Sequence, residues 1–471
     1  MTDGIASSST ALHDLSAIDL LKGYKSKTFS PSEVLEDVLR HVAKWEPHIQ
    51  ALYAFDPDGA RTVARQSTER WQNNAPQGPL DGVPTTIKEN VATKGVPVPL
   101  GSIVTKLVPA AADAPPSARL REAGAVIFSK TTMPDYGMLS SGLSSFHPLT
   151  RNPWDLSKNP GGSSAGAAAA GAAGYGPLHL GTDIGGSVRL PACWCGLVAL
   201  KPSLGRIPID PPYVGRVAGP MTRTVADTAL MMSVLSLPDA RDGMSLPPND
   251  FDWSDLAIDL KGKRIGLLLD QSFGQPLEAD VRDVVVKAAK AFADAGAIVT
   301  EITSPFTKDM LDGLDTFWRA RSWGDISALS KADQDKVLPY IFDWAAGADK
   351  LSAADAVRGF GATMAIRSAA ATLFANLDFI ISPVAPNVNF AAENASPLND
   401  PNKPFDHIGY TVPWNMAENP AASINGGYDS TGFPIGVQIV GRRFDDLGVL
   451  RMAKAFEGLR GEQKPWPTLP A

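Results

Sequence analysis

Gly181-Thr182-Asp183-Ile184-Gly185-Gly186-Ser187-Val188-Arg189 sets two adjacent glycines directly before a serine, with an aspartate on one side and an arginine on the other. Acyl transfer by a serine hydroxyl needs a base to take its proton and convergent donors for the oxyanion that forms on the carbonyl. A glycine pair serves the second need: without side chains, a carbonyl can approach the backbone, and successive N–H groups can turn toward one point. Gly181 to Gly186 is therefore predicted to be irregular loop. Ser187 is the candidate nucleophile, and the N–H groups of Ile184, Gly185, Gly186 and Ser187 are the candidate oxyanion donors. Asp183 and Arg189 are predicted to brace the loop by hydrogen bonds. The stretch holds no base.

Two upstream stretches bear on that gap. Pro160-Gly161-Gly162-Ser163-Ser164-Ala165-Gly166 places two serines behind another glycine pair, and Val83-Pro84-Thr85-Thr86-Ile87-Lys88-Glu89-Asn90 ends a strand-like run on a lysine. Gly162 to Gly166 satisfies G-x-S-x-G, the nucleophile elbow of α/β hydrolases, which would make Ser164 the nucleophile and require a downstream histidine, His407 or His179. That alternative gives the Gly181 to Ser187 loop nothing to do. The other remedy is lysine, which can serve as base once burial leaves it neutral.

The three stretches, in this order and separated by 75 (163 − 88) and 24 (187 − 163) positions, resemble the amidase signature family. The resemblance extends to Leu80 to Pro84, Ser129 to Pro134, Arg151 to Asp155, Leu200 to Arg206 and Gly432 to Gly441; Ala165 departs from it, standing where the family usually has glycine. It implies Lys88 as base, Ser163 as a bridging serine in a cis peptide with Gly162, and Ser187 as nucleophile, with Ser164 in support. It also implies an α/β/α sandwich around a large twisted mixed sheet, residues 1–471 forming one domain. Within it, 75–230 is the catalytic core and 240–400 a variable, substrate-shaping region. The implied activity is hydrolysis of carbon–nitrogen acyl bonds through an acyl-enzyme. Amides, anilides, carbamates and esters share such intermediates. The A subunit of glutamyl-tRNA amidotransferase carries the same catalytic set within this family. A silent binding protein on the same fold would be expected to lose one of the three residues, and none is lost.

Local patterns agree with α/β layering. Ser30-Pro31-Ser32-Glu33 is a capping box with proline at the first helical position, followed by apolar residues at helical spacing. Strand-like runs (83–87, 125–128, 265–269, 298–302, 379–382) alternate with helical ones (116–122, 279–295, and most of 308–377), and 237–255 reads as a surface connection. The Ala/Gly run after Ser164 reads as a tightly packed internal helix. Arg206, Asp210 and Arg223 read as ion-pair members. For the substrate pocket, the candidates are Met133, Tyr136 and Leu139, together with the aromatics Trp318 and Trp323 of the variable region, where Tyr340 and Trp344 also lie. They suit an apolar or aryl acyl group.

Composition narrows the partners. A formal net charge of −7 without a basic stripe argues against nucleic acid or an anionic membrane and favours a small amide or carbamate substrate. Met1 to Leu12 has neither a basic segment nor an apolar core of a leader, and no run is long enough to span a bilayer, so a cytoplasmic location is expected. A homodimer is left open. Cys193 and Cys195, the only cysteines, suit buried thiols rather than a disulfide framework, and the six histidines lack ligand spacing. No metal and no cofactor is expected.

Overall fold

Ser30 begins the first long helix as its sequence predicts: its hydroxyl accepts from Glu33 N, the Glu33 carboxylate accepts from Ser30 N, and Pro31 opens the helix Pro31–Ile49. Val34, Leu35, Val38, Leu39 and Val42 form its buried face. The computed structural model describes residues 11–469, so most of the N-terminal stretch Met1 to Leu12 lies outside the described residues.

Among the described residues, eleven strands form one sheet. They are β1 (Leu52–Tyr53), β2 (Pro84–Lys88), β3 (Val126–Thr131), β4 (Leu178–Asp183), β5 (Val198–Lys201), β6 (Val217–Thr222), β7 (Arg264–Leu267), β8 (Ile298–Glu301), β9 (Phe379–Pro383), β10 (Ala421–Tyr428) and β11 (Pro434–Gly441). Their order is β1-β3-β2-β4-β6-β5-β10-β11-β9-β7-β8. The sheet is mixed: β3-β2-β4 and β9-β7-β8 run parallel, and antiparallel pairs join them.

Every residue of β11 is buried, so both its faces are covered. The helix Arg189–Cys195 packs on β10 and β11, as does the helix Asp446–Leu459, but those two helices make no substantial contact with each other. They therefore lie on opposite faces, giving the helix–sheet–helix layering expected. The helix Ala165–Ala173, buried at all nine positions, packs on β2, β3, β4 and β6. Residues 237–255 form neither helix nor strand, and no helix of the described residues is long and apolar enough to cross a membrane.

One expectation is corrected. Gly181 to Asp183 is not loop: β4 continues through Asp183, with Gly181 opposite Gly219 and Asp183 opposite Val217 on β6. The absent side chain at Gly181 serves close approach instead, since a Cβ there would lie 2.7 Å from Ser164 Oγ. The turn begins only at Ile184.

Because β2 and β4 are parallel neighbours, with Ile87 beside Leu180, their C-terminal ends emerge at one edge of the sheet. Lys88 ends β2 and Asp183 ends β4. Ligand sites of open α/β sheets form at such strand ends.

Candidate active site

Lys88 is fully buried, and its Nζ lies 2.8 Å from Ser163 Oγ, 3.1 Å from Ser164 Oγ and 3.0 Å from Thr182 Oγ1. Burial lowers its pKa to about 7, against the opposing pull of the Asp183 and Glu89 carboxylates, while Arg216 acts in the same direction as burial. At neutral pH the amine is thus divided between a form that can accept a proton and one that can donate it. The Gly162–Ser163 peptide is cis, as the resemblance implies.

Ser187 follows the turn, and Ser164 N donates to Ser187 O at 3.1 Å, tying the serine segments together. The hydroxyls of Ser163 and Ser187 line one cavity, and among the described residues no hydrogen bond joins them. Catalytic contacts often tighten only once substrate is bound.

Asp183 and Arg189 brace the turn. The Asp183 carboxylate accepts from Gly186 N (2.8 Å), Val188 N (3.1 Å), both Nε and Nη2 of Arg189 (3.0 Å each) and Asn415 Nδ2 (2.9 Å). Burial pushes this carboxyl up, but the Arg189 charge and these hydrogen bonds outweigh burial and hold it well below the usual carboxylate range. Arg189 in turn donates to Thr411 O, Gln438 Oε1 and Asn415 Oδ1. The Thr411 hydroxyl donates to Gly185 O at 2.6 Å, closing the brace from the other side.

This bracing amends the oxyanion set read from sequence. The Gly186 N–H is committed to Asp183, so Gly186 shapes the turn rather than offering a free donor. Its φ of 128° and the 2.6 Å from a Cβ built there to Thr411 Oγ1 are what require glycine. The N–H groups of Ile184, Gly185 and Ser187 donate to no other group among the described residues.

The histidines of the elbow alternative are elsewhere. His179 is held between Thr86 Oγ1 and Gly176 O, His407 lies in a separate small cavity, and burial lowers both to about 3. Ser164 Oγ has Lys88 and the backbone of Thr182 as neighbours, with no histidine among its hydrogen-bond partners. Lys130 and Lys201 are also buried and lowered to about 7, but they donate to Val91 O with Thr93 Oγ1 and to Pro202 O, away from the serines.

Two cavities meet at Ser187. The larger, about 350 Å³, is lined by Ser163, Ser187, Thr182, Asn90 and Met133 and bears the charged side chains Asp210, Arg216, Arg321 and Asp325. The smaller, about 90 Å³, is bounded by Leu139, Gly185, Ser187, Trp318, Trp344, Phe405 and Ile408. Tyr136 and Ile184 line both. Trp318 and Trp344 each stand edge-on to Phe405, and the Trp318 ring borders the turn at Gly185.

Of the pocket candidates, Met133, Tyr136, Leu139 and Trp318 reach these walls. Trp323 does not: its ring packs against Phe342, because the far side of the helix Lys308–Ser327 carries it away from Ser187. Arg206 and Arg223 pair with Asp446 and Asp14, whereas Asp210 has no ion-pair partner among the described residues and faces the larger cavity. Phe405, Ile408, Arg216 and Arg321 were not foreseen; nothing in their neighbourhoods distinguishes them. Gln438 stands inside the matched stretch Gly432 to Gly441 and was open to notice. No group of three or more His, Cys, Asp or Glu among the described residues is arranged to hold a metal ion.

Comparison with known proteins places this geometry in context. The family model described as Amidase matches residues 33–450. The chain is 33% identical to the A chain of the glutamyl-tRNA(Gln) amidotransferase of Chloroflexus aurantiacus, covering 96% of this chain and 97% of the relative. It is 32% identical to an acylamidase of Rhodococcus erythropolis, covering 97% and 96%. Among solved structures, a bacterial aryl acylamidase of the amidase signature enzymes superposes with a TM-score of 0.87 at 29% identity over 96% of this chain and 97% of that one. A 6-aminohexanoate cyclic dimer hydrolase superposes with a TM-score of 0.86 at 25% identity over 97% and 99%. With three signature stretches, a single mixed sheet and near-complete coverage all agreeing, the chain belongs to the amidase signature family.

Proposed function

We propose that the protein hydrolyses carbon–nitrogen acyl bonds, amides and anilides foremost, through an acyl-enzyme on Ser187. The observation that carries this reading is the buried Lys88 amine, lowered to about 7, 2.8 Å from Ser163 Oγ beside Ser187. Neutral Lys88 takes the Ser163 proton, and Ser163 takes that of Ser187 as its Oγ bonds to the carbonyl carbon. The oxyanion is met by the N–H groups of Ile184, Gly185 and Ser187. As the C–N bond breaks, Ser163 returns a proton to the leaving nitrogen and is resupplied by Lys88. Water then attacks the ester by the same relay and frees Ser187.

The relay also orients the substrate. Ser163 must reach the leaving nitrogen, and it lines the larger, charged cavity but not the aromatic one. The amine portion therefore occupies the charged cavity and the acyl group the aromatic one, among Leu139, Trp318 and Trp344. Residues 240–400, which supply Trp318, Arg321 and Trp344, are the substrate-shaping region in this proposal. Carbamates and esters pass through the same intermediates.

Labelling with a fluorophosphonate followed by peptide mass spectrometry tests the assignment: the adduct is expected on Ser187 and lost in Ser187→Ala. An adduct on Ser164 would overturn it. The similarity to the amidotransferase relative supports a second reading, in which the same relay releases ammonia for a partner-bound acceptor. Turnover of simple amides by the purified chain alone, against turnover only with glutamyl-tRNA and added partner chains, separates the two.

A further inference from the structure

The aromatic cavity has a polar end that the hydrolytic scheme does not use. Beyond it lies a small space of about 10 Å³ that shares Leu139, Ser140, Trp344 and Phe405 with it and is closed by His407. His407 is only 2% exposed, yet neither Nδ1 nor Nε2 has a hydrogen-bond partner among the described residues. Burial keeps the ring neutral, so it presents one N–H donor and one bare nitrogen acceptor. Leaving a buried polar group unpaired is costly, and native structures rarely do so without an occupant in view. Tyr340 OH, on the same wall, is already engaged by Ser396 Oγ and Asp400 O and does not compete for the ring.

We propose that His407 is a specificity-determining residue that receives a hydroxyl at the far end of the acyl group, so that the preferred substrates are amides of apolar acids bearing a terminal hydroxyl. The inference rests on the acyl group entering the aromatic cavity, as assigned above. A hydroxyl suits the place on two counts. The space is about that of one water-sized group, which a larger polar group would overfill. A single hydroxyl oxygen both donates and accepts, matching the two vacant functions of a neutral imidazole.

The test uses p-nitroanilides of straight-chain acids of increasing length, each ending either in methyl or in a primary hydroxyl, with kcat/KM read from nitroaniline release. At one chain length the hydroxyl-terminated member is expected to be favoured over its neighbours in the series by on the order of tenfold, the worth of about one neutral hydrogen bond. His407→Phe is expected to erase that hydroxyl-to-methyl ratio. Hydroxyl termini that bring no advantage to the parent enzyme at any length overturn the proposal without needing the variant, and leave a buried water as the occupant. A ratio that survives His407→Phe also overturns it. If kcat/KM is indifferent to chain length in the parent and in Trp318→Ala, the acyl assignment fails as well, which separates that failure from the failure of His407 alone.

Discussion

Lys88 offers the sharpest trial of the relay, because its role depends on a protonation state that pH can set. With an ordinary pKa near 10.4, a lysine would be neutral in roughly one molecule in 2,500 at pH 7, whereas at about 7 roughly half are neutral. Burial therefore enlarges the competent population on the order of a thousandfold at pH 7. Since kcat/KM reports the free enzyme, it should be level above about pH 8, half-maximal near pH 7, and fall about tenfold per unit below about pH 6. Lys130 and Lys201 are lowered to about 7 as well, so the limb itself does not name its residue. Arg216 does: its like charge disfavours the Lys88 cation but is not among the charges acting on the other two. In Arg216→Met the Lys88 cation is less opposed, its pKa rises, and the acid limb should move to higher pH. Lys88→Ala should lose at least about a hundredfold in kcat/KM, and Lys88→Arg should be no better, because guanidinium cannot accept the Ser163 proton. An anilide followed by its chromophore from pH 5 to 9 provides the assay. A flat profile down to pH 5, or a folded Lys88→Arg with near-parental turnover, would refute the reasoning.

Asp183→Ala is expected to destabilise the fold by about 3 to 5 kcal/mol in denaturant titration, since it leaves the buried Arg189 charge unpaired; a loss under about 1 kcal/mol would show that Arg189 finds compensation in Thr411, Asn415 and Gln438. Trp318→Ala should reduce kcat/KM for aryl acyl anilides several-fold more than for acetanilide, because only the larger acyl group reaches that wall; equal losses would count against the orientation of the two cavities. Activity should survive EDTA, as proton relay and oxyanion donors all belong to the chain, and a loss restored by one particular metal would contradict the mechanism.

Much of the site could be read from local pattern, and the exceptions have physical causes. The capping box at Ser30 and the alternation of strand and helix are set by neighbours within a turn or two, so they appear where the residues predict. Gly181 misled because glycine marks both loops and close approaches, and only the proximity of Ser164 shows which applies. The oxyanion set was one donor too large because the sequence places Gly186 in the turn without revealing that Asp183 folds back to take its N–H. Trp318 and Trp323 share a helix and a side-chain type; what separates them is which flank of that helix meets Phe405 and which meets Phe342.

By itself, the sequence determined the signature stretches, their order and spacing, and with them the family, the mixed α/β fold and the candidate lysine and serines. These are properties of short segments, and glycine pairs, caps and strand runs act on the backbone beside them. Only the tertiary structure decided that Lys88 loses its water and with it most of its preference for charge. It alone brings Thr411, Asn415 and Gln438, more than two hundred positions away, to Arg189. It alone divides the site into a charged and an aromatic cavity, with His407 at the end of the latter. Desolvation and long-range convergence depend on how the whole sheet and its helices enclose a point, and no local stretch encodes that enclosure.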